Sequence, residues 1–555
     1  MALNMPSNAS GSHAQPVISV VTAVHNQLPY NRLFFDSLSR CTYYSYELVI
    51  VNNSSTDGSE KFFSDNGAVV LDNKENVPYS AAQNQGLAVA KCRYVAFLNN
   101  DICLSPQWDR KLIEYMEDYN IDVICPCGIE NMETPAATRR AMRLWRYINF
   151  IQRFRIHAKI AYDDRSLRFL LRLMYGNWEQ YTATRAEKFR RFLYSGVSGY
   201  AVVVRGEVFK KVGKWNEDVA AADADLSLRM TKRQVENGDV RGFMVAGDVF
   251  VHHFIRATFR TELRRSSPWN NLRRITDLYS AADLRYLDRP RASVIIAVYN
   301  HPEFLEKVLE SLTIQNETDF EVVISDDGSG PEINEVVKRY HKRFRYPIRH
   351  VWQEHDGFRK TLAANKSVAA SRANYLIFID GDCVLHSRFV ERHLRRRRLH
   401  TVLSGRRVKL DEETSRALTL PDIKNRNFEK PLFHGKGCER RTAKYGVYRP
   451  YMFGPRNLAG GNYDILGCNF SVYKGDYYSI NGYEERIIGR GLEDNNLCNR
   501  FKAAGMKIVN IAYESIEFHL HHSFDPVPHS RETVNEMGNP DRAWSATGIC
   551  KKEIS

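Results

Sequence analysis

The feature that most constrains this chain is an internal repeat. Ser19-Val20-Val21-Thr22-Ala23-Val24-His25-Asn26 returns as Ser293-Val294-Ile295-Ile296-Ala297-Val298-Tyr299-Asn300. Asn52-Asn53-Ser54-Ser55 returns as Asp326-Asp327-Gly328-Ser329, and Ala82-Gln83-Asn84 as Ala363-Ala364-Asn365. Asn99-Asn100-Asp101 returns as Asp380-Gly381-Asp382. A late element recurs too: Gly213-Lys214-Trp215-Asn216-Glu217 with Asp223-Ala224-Asp225-Leu226 matches Asn481-Gly482-Tyr483-Glu484-Glu485 with Glu493-Asp494-Asn495-Asn496-Leu497. Each half closes on histidines, His252-His253 and His519-Leu520-His521-His522. Landmarks in one order, twice, predict a duplicated domain.

Within each copy, short β-branched runs such as Val17-Ile18-Ser19-Val20-Val21 and Glu47-Leu48-Val49-Ile50-Val51 alternate with amphipathic helical patterns. That alternation predicts an α/β fold with a mostly parallel sheet. Ligands of such sheets bind beyond the carboxyl ends of the strands. The polar clusters lie at those ends, so they are expected to converge on one crevice per domain.

The expected organisation is a disordered N-terminus over 1–15, a first domain over 16–265, a linker over 266–290, a second domain over 291–525 and a tail over 526–555. Residues 139–193 fit neither repeat and read as basic, aromatic helices inserted in the first domain. Between Arg139 and Arg191 there are 14 Lys/Arg against 4 Asp/Glu, in a chain of net charge +14. Such a segment suits an anionic membrane surface or a lipid-diphosphate-linked acceptor. Nucleic acid is the disfavoured alternative, since basic runs are usually solvated faces. The 10 cysteines are scattered; only Cys125-Pro-Cys127 is close-spaced, and no second pair completes a zinc site. Scattered thiols, no signal-peptide core and no membrane-length apolar run lead to a cytoplasmic expectation, with peripheral attachment to the inner face of the membrane through 139–193.

An Asp-x-Asp at a strand end, Asp380 and Asp382, suits a hard divalent cation, Mn²⁺ or Mg²⁺, which commonly bridges a substrate diphosphate. His521 or His522 can complete its shell. The apolar pattern Leu497, Phe501, Ala504 puts Glu493-Asp494 at the start of a helix, where Asp494 can take a proton from an attacking hydroxyl. Asp326 can hydrogen-bond a nucleobase. Read singly, each has a plainer alternative: a helix cap for Asp494, a turn for Asp327-Gly328, strand-end residues for the histidines. Together they describe group transfer from a nucleoside diphosphate to an alcohol.

On these residues the chain resembles glycosyltransferase family 2, the inverting enzymes of the GT-A fold, and does so twice. The second copy, through Asp326 to Ser329, Asp356 to Lys360, Asn365, Asp380 to Asp382, Asn481 to Tyr483 and Glu493-Asp494, is similar to the bacterial chondroitin- and hyaluronan-polymerase group. The first, through Val51 to Gly58, Asn76 to Gly86, Asn99 to Asp101 and Asp223 to Leu226, is similar to rhamnosyl-type transferases of surface polysaccharide assembly. The resemblance implies two tandem GT-A domains, nucleotide-diphosphate sugar donors, a glycan acceptor and a divalent metal. It implies Asp494, beside Glu493, as the second-domain base and Asp223 as the first. It implies Asp382, Asp380, His521 and His522 as one metal group, and Asp101, His252 and His253 as the other. Asp326, Asn300, Asn365 and Asp380, with Asn52, Asn26, Asn84 and Asn100, are the implied nucleotide-sugar contacts. The first domain departs from the pattern at Asn52, Asn99 and Ala222, where an acid is absent. The implied activity is a bifunctional transferase building a repeating surface polysaccharide. The alternative is a single active second domain, with the first a binding or membrane-docking module.

Overall fold

A computed structural model describes residues 15–157, 163–255, 272–429, 436–448, 464–523, 537 and 542–551, with side chains in 151–157 excepted. The expected disorder of 1–15 therefore lies almost wholly outside the described residues. The chain divides into two units, one over residues up to 190 with 196–287, the other over 191–195 with residues from 288 onward.

The fold is α/β in both units, and the two sheets have the same plan. In the first unit the strands run, from one edge, Val69–Asn73, Tyr46–Asn53, Ile18–Val24, Tyr94–Leu98, Ala201–Arg205, Val123–Cys127 and Gly242–Phe250. In the second they run Arg349–Trp352, Phe320–Asp326, Ala292–Val298, Tyr375–Asp380, Phe470–Tyr473, Thr401–Ser404 and Lys507–Asn510. Both are parallel except at the fifth strand, which is antiparallel to both neighbours. Ile18–Val24 and Ala292–Val298 are buried along nearly their whole length, which is why they read as unbroken apolar runs rather than alternating ones.

The duplication extends to buried polar detail. Ser293 Oγ donates to Glu321 Oε1 at 2.5 Å, and Ser19 Oγ donates to Glu47. These pairs anchor the start of the next strand: Ala373 N–H donates to Ser293 Oγ at 3.1 Å and Cys92 N–H to Ser19 Oγ at 3.0 Å. At the other end of the central strand the backbone turns through left-handed Asn26 (φ 55°) and Asn300 (φ 56°). Asparagine tolerates that region because its short side chain bonds locally. Asn26 N–H donates to Ser55 Oγ and Asn26 Oδ1 accepts from Thr56 N–H, both at 2.8 Å. Asn300 makes the matching pair with Ser329 Oγ (2.8 Å) and Gly330 N–H (3.3 Å). Each thus ties two strand-end loops together, as the floor of a crevice requires.

Three helices, Pro135–His157, Asp164–Tyr175 and Trp178–Lys188, occupy the expected basic insert. Trp145, Ile148, Leu167, Leu170 and Leu171 bury its inner face; Leu144, Tyr147 and Leu173 are exposed. Among the described residues no helix is long and apolar enough to cross a membrane. Within the expected linker, Ile275–Leu278 and Ala281–Leu284 are short helices on the first unit, held by Lys232 to Asp283 at 2.7 Å and by the Tyr279 hydroxyl to Asp225 at 2.7 Å. The tail, which showed no pattern in sequence, docks in part: Asn481 Nδ2 donates to the carbonyls of Ser545 and Cys550, and Glu485 N–H to that of Thr547.

Candidate functional site

In the second unit three groups meet at the carboxyl edge of the sheet. The helix Leu492–Ala503 begins after Gly491, whose left-handed φ of 98° turns the chain so that Glu493 and Asp494 occupy its first turn. Gly467 N–H donates to Asp494 Oδ2 at 2.7 Å, and the Tyr483 hydroxyl to Oδ1 at 3.3 Å. Opposite, the partly buried Lys360 at the start of helix Lys360–Ala370 donates to Asp380 Oδ1 at 2.6 Å. Its ammonium also faces Asp494 and Glu493, and the three acids hold it charged. Three carboxylates around one ammonium leave an excess of negative charge. Burial raises the Asp494 carboxyl; Lys360 opposes this and Asp380 adds to it. Glu493 is pushed up to about 7, by burial first and by the charge of Asp494 second. The two acids are coupled, and burial raises both, which makes the one that is ionised a stronger base than an exposed carboxylate.

The third group is Asp382. Its Oδ2 lies 3.0 Å from His522 Nε2 and 3.4 Å from His519 Nε2. Burial opposes ionisation of Asp382, but hydrogen bonds from the two imidazoles outweigh it and hold the carboxyl well below its usual range. One oxygen and two nitrogen donors within 4.8 Å of one another fit a divalent cation. This corrects the assignment of His521. Its ring is exposed and its N–H donates to Ser415 Oγ at 2.8 Å. Leu520 turns into the core, its N–H bonded to the Asp382 carbonyl, while His519, just before it, and His522, two residues after it, reach the carboxylate.

Several expected nucleotide-sugar contacts have other partners. Asn365 spends its amide within the fold: Nδ2 donates to the Tyr483 carbonyl and Glu485 Oε1, both at 2.9 Å, while Oδ1 accepts from the Tyr477 hydroxyl and Tyr483 N–H. Asn84 repeats this, to the Trp215 carbonyl, Glu217 Oε1 and Trp215 N–H. Both asparagines brace the turn that carries the base helix rather than line the crevice. Asn100 is buried against Asn31 Oδ1 at 2.7 Å. Asp326 is wholly buried, its Oδ1 accepting from Ser329 N–H at 2.8 Å and its Oδ2 from His350 Nε2 at 2.7 Å. Asn52 takes the same place with inverted polarity, donating Nδ2 to Asp72 Oδ1 at 2.5 Å.

The first unit holds an equivalent but less charged crevice. His253 pairs in register with Ile102, as His519 does with Cys383. His253 Nε2 lies 3.4 Å from Asp101 Oδ1, and its Nδ1 lies 2.6 Å from Glu130 Oε2. His252 points the other way, as neighbouring strand residues do. It is buried against Trp145 with its Nδ1 2.7 Å from the Tyr175 hydroxyl, and burial keeps it neutral by pushing its pKa down to about 3. His252 is therefore removed from the expected metal group, and among the described residues no third donor joins Asp101 and His253. The position matching His522 is Arg256, outside the described residues. Where Lys360 pairs with Asp380, the first unit has the Tyr79 hydroxyl 3.4 Å from Asn99 Oδ1: acid and counter-cation are replaced together. Asp223 is exposed at the start of helix Ala222–Glu236.

The sequence alone assigns no role to Gly467, Lys360, His519 or His350. Gly467 shows why: its role is to have no side chain. A Cβ there would stand 2.4 and 2.7 Å from the Asp494 oxygens, and one at Gly199 would stand 2.5 Å from Asp223 Oδ2. Gly467→Ala is expected to displace Asp494 and cut kcat by about 10²-fold with KM within a few-fold, the scale for an ångström misplacement of a reacting group. Steady-state kinetics check this; an unchanged kcat would mean that Asp494 is not held by this cradle for catalysis.

Comparison with known proteins identifies the family. The family model described as glycosyl transferase family 2 matches residues 19–177 and again 293–453, and a model described as the N-terminal domain of galactosyltransferase matches 457–523. An uncharacterized glycosyltransferase of Rickettsia felis is 24% identical over 417 residues, 68% of this chain and 63% of that protein. Validoxylamine A glucosyltransferase of Streptomyces hygroscopicus subsp. jinggangensis is 36% identical over 104 residues, 18% of this chain and 24% of that one. The putative glycosyltransferase EpsH of Bacillus subtilis is 28% identical over 160 residues, 27% of this chain and 45% of that one. The chain thus spans less than two thirds of the length of these curated relatives. A solved mannosyltransferase of Pyrobaculum calidifontis, in complex with GDP-Man and Mn²⁺, aligns at 14% identity and TM-score 0.28 over 44% of this chain and 58% of that one. Two matches in tandem to one family model, covering more than half of the sequence, place this chain in glycosyl transferase family 2.

Proposed function

We propose that the second unit transfers a sugar, with inversion, from a nucleotide-diphosphate donor to a hydroxyl of a growing surface glycan of capsule or O-antigen type. The observation that carries this is Asp494, set by the Gly467 N–H beside Glu493 and Lys360, at the same sheet edge as Asp382 with His519 and His522. Asp494 takes the proton of the acceptor hydroxyl. The freed oxygen attacks the anomeric carbon as the bond to the diphosphate oxygen breaks on the opposite face, so no covalent enzyme intermediate forms. Tyr483 and Gly467 keep the carboxylate aimed, and Lys360 favours its ionised form. A divalent cation held by Asp382, His519 and His522 would supply neutralisation of the leaving diphosphate; imidazole donors favour Mn²⁺ over Mg²⁺.

The first unit, by the same reading, is a second transfer site, with Asp223 as base and Asp101 with His253 on the diphosphate side, working on a different donor. A second reading, in which this unit binds the glycan without reacting, is favoured by the neutral Tyr79–Asn99 pair. Nucleotide release from a panel of nucleotide sugars decides between them. Two donors, one silenced by Asp101→Ala and the other by Asp382→Ala, are expected; a single donor insensitive to Asp101→Ala would leave the first unit as a binding module.

The exposed Leu144, Tyr147 and Leu173, beside Arg139, Arg140, Arg143 and Arg146, suit an anionic bilayer that carries a lipid-linked acceptor. Vesicles containing phosphatidylserine are expected to bind the protein, each arginine changed to Ala weakening binding by about 1 kcal/mol. Equal binding by the fourfold variant would exclude this surface.

A further inference from the structure

Behind the Asp382 group lies a second cluster of donor atoms that the transfer chemistry does not use. Cys383, Cys468 and Glu517 are buried, and their sulfur and carboxylate atoms lie within 4.8 Å of one another. They come from three separate segments. Cys383 opens the strand Cys383–Leu385, Glu517 lies in the antiparallel strand Ile516–His519, and Cys468 precedes the strand Phe470–Tyr473. In the three-stranded sheet the register pairs Glu517 with Leu385 on one side and with Arg407 on the other. Side chains in register share a face, and Cys383, two residues from Leu385, shares it too.

We propose that Cys383, Cys468 and Glu517 form a second cation site, for a thiophilic divalent ion such as Zn²⁺. The decisive observation is Glu517. Both its carboxylate oxygens are fully buried and have no hydrogen-bond partner. An ionised carboxylate buried without donors costs several kcal/mol unless a cation meets it, and with no cation it keeps its proton. The nearby guanidinium gives it no hydrogen bond: Arg407 Nη1 points to Cys468 Sγ, at 3.7 Å. Charge arithmetic explains why Arg407 is there. A divalent ion with two thiolates and one carboxylate carries one net negative charge, which the guanidinium cancels. Coordination releases the protons of the two thiols and of the Glu517 carboxyl to solvent, and three protein donors leave one position of a tetrahedral ion to water.

Every donor is a near neighbour of a residue in the transfer site. Cys383 follows Asp382, and its Sγ lies 3.2 Å from Asp382 Oδ1. Cys468 follows Gly467, which holds Asp494. Glu517 precedes His519 by two residues in the same strand. An ion here clamps the metal motif, the base cradle and the histidine strand to one another. The site does not depend on which donor or acceptor the enzyme uses.

The probe is Co²⁺ added to metal-free, fully reduced protein. Thiolate coordination is expected to give sulfur-to-cobalt charge-transfer absorption in the near ultraviolet, saturating at one ion per chain. The band is expected to survive Asp382→Ala, which removes the neighbouring group, and Cys125→Ser with Cys127→Ser, which removes the close-spaced thiols. It is expected to vanish in Cys468→Ser, and Glu517→Gln is expected to weaken Co²⁺ binding at least tenfold. Glu517→Gln keeps the shape of the side chain, so it serves if Cys468→Ser does not fold. No charge-transfer band in the wild type, a band that persists in Cys468→Ser, or Co²⁺ affinity unchanged in Glu517→Gln would overturn the proposal.

Discussion

Asp494→Asn is expected to lower kcat of the second-unit transfer by on the order of 10³-fold, within the range for loss of a positioned general base. Asparagine keeps the shape, and its carbonyl can still accept from Gly467 N–H, so the protein should fold and bind donor with little change in KM. The pH profile supplies an independent reading. The base must be ionised to work, and burial raises both acids, Glu493 to about 7. Activity therefore falls as pH drops, at a higher pH than that at which an ordinary carboxylate protonates. Lys360 opposes that rise, so Lys360→Met is expected to move the acid limb to higher pH. Retention of activity within tenfold in Asp494→Asn would remove Asp494 from the role of base, whatever the pH profile.

Asp382→Ala carries the second large effect. Both His519 and His522 face its carboxylate. Removing a group that only orients a metal ligand through a hydrogen bond already costs about 10–100-fold in affinity or activity, so loss of a direct ligand is expected to cost at least about 100-fold in apparent metal affinity. Activity at limiting Mn²⁺ should collapse and return only in part at high Mn²⁺. His522→Ala should follow the same pattern, whereas His521→Ala should not, since its ring is exposed and away from the carboxylate. Titration of activity with Mn²⁺ after chelation reads all three. Equal Mn²⁺ dependence in wild type and Asp382→Ala would refute the assignment.

The roles in the site divide by how they are encoded. Asp382 and the Glu493-Asp494 pair stand out in sequence because carboxylates at strand and helix ends are a local pattern. Gly467 leaves no such pattern, because its contribution is space and one N–H. Lys360 is one lysine among many until the fold buries it between Asp380 and the base pair. The histidines illustrate the limit of proximity in sequence. His252 and His253 occupy one strand, so their side chains face opposite sides; His521 and His522 lie past the strand end at His519, where the irregular chain brings His522 and not His521 to Asp382. Asn365 and Asn84 show the converse. They recur in both copies, and recurrence by itself does not separate a residue that binds a substrate from one that binds the Tyr483 or Trp215 turn.

The chain by itself determined the duplicated α/β plan, because burial of the central parallel strands demands apolar runs and crossover helices in a readable order. It also determined which strand ends carry acids, and that the first copy has neutral residues at Asn52 and Asn99. The tertiary structure decided what those residues meet. Tyr79 opposite Asn99, His519 and His522 around Asp382, and Cys468 beside Cys383 and Glu517 are contacts between segments far apart in the chain. Such contacts are set by strand register and helix packing, which depend on the whole sheet rather than on the spacing of the residues concerned.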